Sequence, residues 1–302
     1  MATIVVIDGL SRSGTTLLSS MIHSQNKAMV LRGAFHELLA YEPRGWAVRH
    51  AMMPILTAGN VAFSSDGIVE RMIDNVRGMK KLSGRRLFSQ TMQRLDARNQ
   101  YNELSKSVLL DLMKTRQIDS FAALDGLYDD LALILGVQVL GFRWNQGLSW
   151  FPVWDRRQNH KWISVIRDPV ARAISANKSH GWDLKESLLA AQIYAEKLNI
   201  LSYSQNLRTV YFEDLISDPR GQLVDLMQFL GAETDELTLE LIGQDGAPYR
   251  VESSSLIDKG MSHLSGEPFR GFNKNTVNKY RGSSLYTKYS YLSRYPIYTK
   301  YF

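Results

Sequence analysis

The chain has no cysteine. This excludes disulfides, thiolate nucleophiles and cysteine-based zinc sites, and it agrees with a reducing cytoplasm, the expected location. Long hydrophobic runs are missing as well. No apolar stretch approaches the roughly 20 residues that cross a bilayer, so no transmembrane segment is expected. The first residues, MATIVVIDGLSRSGTT, have neither a basic leader nor a small-residue cleavage site, and a signal peptide is not expected. No compact basic run interleaved with aromatics is present, which argues against nucleic acid as a partner. No His/Asp/Glu group has metal-ligand spacing, so no metal is expected. Repeats and low-complexity tracts are also lacking.

What is present describes an ordinary globular chain. Its 302 residues are 44% hydrophobic and 22% charged, enough to bury one large core. The 36 Lys and Arg outnumber the 30 Asp and Glu, for a net charge of +6 and a pI near 9.3. Such a balance serves solubility or attraction to an anionic ligand, and charge alone does not separate the two. Residues 3–8 read as a buried strand and 15–24 as a helix. Residues 46–135 have a mostly helical pattern with polar breaks. Further strands are expected at 137–144, at 161–169 with a sharp end, and at 207–215, the last followed by a helix. Strands alternating with helices predict an α/β, three-layer, P-loop-like fold. In it a central parallel sheet is flanked by helices, with a helical insertion at about 45–135. One domain is expected over residues 1–302. Residues from about 283 onward are rich in Tyr, Lys and Ser and read as a helix and arm packed on the surface.

The stretch IVVIDGLSRSGTTLLSSMIHSQ, residues 4–25, holds the first candidate site. Gly9, four residues, Gly14 and then Thr15-Thr16 keep the glycine spacing of a phosphate-binding loop between a strand and a helix. Backbone N–H groups of residues 13–16 (Ser13, Gly14, Thr15, Thr16), the helix dipole and the two threonine hydroxyls make an anion cradle. The lysine of nucleoside triphosphatases is absent, and Thr15 stands in its place. The cation lies earlier instead, at Arg12, where a guanidinium can fork onto two oxygens.

A second stretch, WISVIRDPVARAISANKSHGW (162–182), combines a strand end with a helix start. Asp168 is a good N-cap and Pro169 suits the first helical position. Arg167 then lies at the carboxyl end of the strand, where open parallel sheets bind ligands. Ser175 is in the second turn of the helix, and the pair can clamp a second phosphate. In the third stretch, VYFEDLISDPRGQLVDLMQFLGAE (210–233), Glu213 and Asp214 read as structural, with Asp214 capping or bracing the turn. Asp218-Pro219 starts the next helix.

GLSRSGTTLL resembles the 5′-phosphosulfate loop of sulfotransferases that use 3′-phosphoadenosine 5′-phosphosulfate (PAPS). It is similar to the arginine-containing version found in tyrosylprotein and bacterial sulfotransferases. Arg167 and Ser175 match the family's arginine–serine pair for the 3′-phosphate. The third stretch resembles its Y-E-D-L…D-P…FLG segment, with Phe212 in place of the tyrosine. The resemblance thus runs from residue 4 to 233 and implies a PAPS-dependent enzyme that releases adenosine 3′,5′-bisphosphate (PAP). It implies Glu37 as general base, with His36 second, although HELL also reads as a helix start with Glu in its first turn. Arg143, after the second strand, stands where the family often places a basic residue and is otherwise a surface arginine. Ser254, Arg270 and Lys274 are candidates for the late loop that closes over the nucleotide.

The expected reaction moves a sulfuryl group to an acceptor hydroxyl on a small molecule or glycan; glycolipids and peptide tyrosines are further acceptor classes. Aromatics at 41–46 and 144–154 suit a sugar or lipid, or a core. The competing readings are a P-loop kinase or nucleotide hydrolase, and a non-catalytic PAP-binding protein. The sequence says nothing of oligomeric state.

Overall fold

The computed structural model describes residues 1–32, 82–83, 117–118, 121–145, 148, 151–155, 159–241 and 283–302. Strand β1 (Thr3–Gly9) opens the chain, followed by α1 (Thr15–His23) and β2 (Ala28–Arg32). Next come the two-residue strands β3 (Leu82–Ser83) and β4 (Gln117–Ile118), then α2 (Phe121–Leu135), β5 (Val139–Asn145) and α3 (Phe151–Trp154). Strand β6 (His160–Ile166) leads into α4 (Pro169–His180) and α5 (Leu184–Leu201). Strand β7 (Leu207–Tyr211) precedes α6 (Phe212–Ser217) and α7 (Pro219–Phe229). Helix α8 (Ser284–Lys288) and two 3₁₀ turns, Ser290–Arg294 and Pro296–Tyr301, complete the description.

Five strands form one parallel sheet in the order β2-β5-β1-β6-β7. β1 is central, and its TIVVID run is buried on both faces, as a covered parallel strand requires. Side chains alternate across the pleat. Val5 and Ile7 meet Leu17, Leu18, Met21 and Ile22 of α1, together with Leu223, Leu226 and Met227 of α7. Ile4 and Val6 meet the opposite layer, built from α2, α4, α5 and residues 286–301. Helix, sheet and helix layers result, as the sequence predicts.

Chain direction then places the site. After β1 the chain crosses over one face through α1 toward β2. After β6 it crosses the other face through α4 and α5 toward β7. The two crossovers part between neighbouring strands, so a crevice opens beyond the carboxyl ends of β1 and β6.

The structure corrects one strand bound and adds detail elsewhere. The fourth strand does not run to residue 215: it ends at Tyr211, and Phe212–Ser217 is helical. The acidic pair Glu213-Asp214 favours a helix first turn over a strand. β2 is not anticipated; among the described residues its five residues pair with β5 alone. Within 46–135 the described residues include an antiparallel β3–β4 pair beside helix α2. Residues 283–302 hold the expected helix, Ser284–Lys288, and the segment after it is two 3₁₀ turns packed into the helical layer. Tyr286, Tyr289, Leu292, Tyr295, Tyr298 and Tyr301 are all buried, every third residue in turn. A three-residue period stacks one face of a 3₁₀ helix, which explains why this segment takes that form.

Candidate functional site

β1 stops at Gly9 and α1 starts at Thr15, so the loop between them must reverse within a few residues. A Cβ on residue 9 would lie 2.8 Å from the Val165 carbonyl oxygen. Gly14 has φ 101°, and a Cβ there would meet Phe212 Cδ2 at 2.3 Å. Arg12 itself sits in the left-handed region at φ 71°. That conformation costs a non-glycine residue about 1–2 kcal/mol, so the surroundings must hold it. They do so through two carbonyls and an amide. Arg167 Nη1 donates to the Arg12 carbonyl at 3.0 Å, and Arg172 Nη1 reaches the Ser11 carbonyl at 3.4 Å. The Ser13 N–H donates to the Leu10 carbonyl at 3.0 Å.

The helix that leaves this loop starts differently from three later ones. Asp168 caps α4 by accepting from the N–H groups of Val170 and Ala171 at 2.9 and 3.0 Å. Asp183 caps α5 through Glu186 N–H, and Asp218 caps α7 through Gly221 N–H, each at 3.0 Å. α1 has Gly14 at its N-cap, no side-chain cap and no acidic residue in its first turn. The positive end of α1 is left without a side-chain carboxylate or hydroxyl cap, which suits an incoming anion.

Guanidinium groups gather around that end. Arg143, at the carboxyl end of β5, donates from Nη1 to Thr16 Oγ1 at 2.6 Å. Arg12 Nε donates to Ser175 Oγ at 3.2 Å, linking the first loop directly to the second motif. Arg167 lies with its Cζ 4.6 Å from the centre of the Phe212 ring. Burial holds the Arg167 guanidinium below its ordinary range; Glu213 and Asp168 oppose that shift and Arg12 adds to it. Burial likewise lowers Arg172 to about 10. Crowded, desolvated cations of one sign favour an anionic ligand that fills the space between them.

The structure therefore brings Arg12, Ser13, Gly14, Thr15, Thr16, Arg143, Arg167 and Ser175 to one crevice. The two anion pockets read from the sequence are contiguous, since Ser175 touches Arg12. His36, Glu37, Ser254, Arg270 and Lys274 lie outside the described residues. So do the aromatics of 41–46, while 144–154 falls partly outside them. Among the described residues no group of three or more His, Cys, Asp or Glu is placed to hold a metal.

Several contributors escape sequence reasoning. Arg172, 2% exposed, joins the loop to the Ser187 carbonyl at the start of α5. Phe212 both floors Gly14 and stacks on Arg167. Glu213, read as structural, has long-range partners: Oε1 accepts from the Asp168 N–H at 3.0 Å, and Oε2 accepts from the Tyr301 hydroxyl. Asp214 pairs with Lys300 Nζ at 3.0 Å. Beneath the loop, buried Asp8 accepts from Tyr194 OH at 3.0 Å, and Tyr194 shares a short hydrogen bond with Ser164. Only the period-3 tyrosines carried a sequence signal that pointed to their burial.

No protein-family model matches this chain. No curated protein matches it significantly either. Solved structures do. The chain superposes on the sulfotransferase domain of the Synechococcus PCC 7002 olefin synthase with a TM-score of 0.51 and 16% identity, over 97% of this chain and 94% of that one. A sulfotransferase domain from the curacin biosynthetic pathway matches with a TM-score of 0.49 and 14% identity, over 97% and 96%. Retinol dehydratase in complex with retinol and PAP matches with a TM-score of 0.39 and 14% identity, over 97% and 81%. The likeness first seen in three short stretches extends to the fold around them: this chain is built on the sulfotransferase fold.

Proposed function

We propose that the chain moves the sulfuryl group of PAPS to an acceptor hydroxyl on a small molecule or glycan. The observation that carries this reading is the α1 N-terminus without a side-chain cap, ringed by Arg12, Arg143 and Arg167, with Ser175 bridging the two motifs. The donor set suits a nucleotide charged at both ends. It offers guanidinium forks, hydroxyls and backbone N–H groups. PAPS would supply the sulfuryl group and leave as PAP.

In this reading Arg12, the N–H groups of residues 13–16, Thr15 and Thr16 hold the 5′-phosphosulfate. Fixed donors aimed at developing charge act without reorganising. Arg143 assists from the β5 side, where it already contacts Thr16. Arg167 and Ser175 hold the 3′-phosphate, and Ser254, Arg270 and Lys274 close over the nucleotide. Glu37, with His36 as the second candidate, takes the acceptor proton. In the same reading, residues 1–302 form one domain and the protein acts in the cytoplasm.

Calorimetry tests the reading. PAP should bind without magnesium, and Arg167→Ala should weaken PAP far more than adenosine 5′-phosphate. Labelled PAPS with fractionated extract should transfer label to an acceptor, and Arg12→Ala should lower that transfer by a factor of about 100 or more. Uptake of ATP only with magnesium, and none of PAP, would return the chain to the kinase reading. Tight PAP binding with no transfer to any acceptor would leave a nucleotide-binding protein.

A further inference from the structure

Arg167 stands beside two carboxylates, yet no ion pair among the described residues includes it. Each carboxylate is committed elsewhere, at both oxygens. Asp168 gives Oδ1 to the N–H groups of Val170 and Ala171 and Oδ2 to the Tyr286 hydroxyl. Glu213 gives Oε1 to the Asp168 N–H at 3.0 Å and Oε2 to the Tyr301 hydroxyl. Both tyrosines belong to the period-3 run. They are 8% and 4% exposed, and they reach Asp168 and Glu213 from 118 and 88 residues away, respectively. Lys300 adds a neighbouring clamp, with Nζ 3.0 Å from Asp214 and 3.6 Å from the centre of the Tyr211 ring.

We infer that Tyr301 is a positioning residue for the anion site: its hydroxyl holds the Glu213 carboxylate off Arg167, so that this guanidinium stays free for an anionic ligand. Tyr286 does the same for Asp168. The physical ground is the cost of leaving a buried charged oxygen without a donor. If the Tyr301 hydroxyl is removed, Glu213 Oε2 needs another, and the Arg167 guanidinium is a cation already acting on it. An internal pair would then form and cancel the charge that the ligand uses. This deepens the PAPS reading and rests on it only in that Arg167 meets the 3′-phosphate.

The test is a charge-rescue cycle read by calorimetry at neutral pH, with PAP and adenosine 5′-phosphate as probes. Tyr301→Phe keeps the ring that packs near Tyr211 and Tyr298, with both centroid separations 6.3 Å. It should weaken PAP by about tenfold and leave adenosine 5′-phosphate nearly unchanged. Adding Glu213→Gln removes the competing charge while retaining an acceptor for the Asp168 N–H, and should restore most of the PAP affinity. Unchanged PAP binding in Tyr301→Phe overturns the inference. So does an equal loss for both probes, or a double variant no better than the single one. A wild-type chain that takes up no PAP overturns the reading beneath it, and the inference with it.

Discussion

At the scale of single residues, the site depends on groups held in conditions they would not choose alone. Arg12 is held in a left-handed backbone by donors from two other arginines. Glu213 is the clearest case for measurement. Burial raises its carboxyl above the ordinary 4.5, against the weaker opposing effects of the Tyr301 hydroxyl, backbone N–H bonds and Arg167. The folded chain thus binds this proton more tightly than the unfolded chain. Its contribution to stability is fully present below about 4.5 and is lost as pH rises through the raised folded value. Glu213→Gln removes that dependence. Its stability relative to wild type should therefore climb from acid to neutral pH, as read from urea midpoints. A difference that stays flat with pH would show that Glu213 is not buried in the way described.

At the scale of elements, two devices shape the crevice. One is helix capping. α4, α5 and α7 carry an Asp at the N-cap, whereas α1 has no side-chain cap. The other is the three-residue period of 286–301, which turns a tyrosine-rich segment into a packed layer over α5. Tyr298 OH reaches the Ala191 carbonyl at 3.2 Å and Tyr295 OH reaches Glu196 at 2.6 Å. Leu292 is 0% exposed and its neighbour Tyr291 is 42% exposed. Leu292→Ala should cost about 2–5 kcal/mol of unfolding free energy. Tyr291→Ala should stay within about 0.5 kcal/mol. Equal losses in chemical denaturation would mean that the period does not set the packing.

At the scale of the whole molecule, the sheet acts as a frame that converges distant motifs. Residues 9–16, 143, 167–175 and 212–213 come from four separate strand ends and meet because the strands of the five-stranded sheet run the same way. A ligand gripped by all of them should stabilise the entire chain by mass action. At a PAP concentration about a hundredfold above its dissociation constant, the gain approaches ~2.7 kcal/mol. Thermal melts with PAP, without magnesium, should show this as a rise in midpoint. The rise should shrink with added salt, because exposed parts of the contact are screened. No rise with PAP, set against one with magnesium-ATP, would sink the nucleotide assignment.

The sequence by itself determined what local chemistry dictates. Glycine spacing and a β-branched run marked the β1–loop–α1 unit. Asp-Pro pairs marked two helix starts at 168 and 218, and strand–helix alternation marked a parallel sheet. These follow from backbone sterics and burial periodicity, which act within a few residues. Only the tertiary structure decided that Arg12 touches Ser175, that Phe212 floors Gly14, that Arg172 supports the loop, and that Tyr286 and Tyr301 occupy the carboxylates beside Arg167. Each of these pairs lies more than 80 residues apart in the chain. No local propensity encodes such a contact: it is set by strand order and by which sheet face each helix covers.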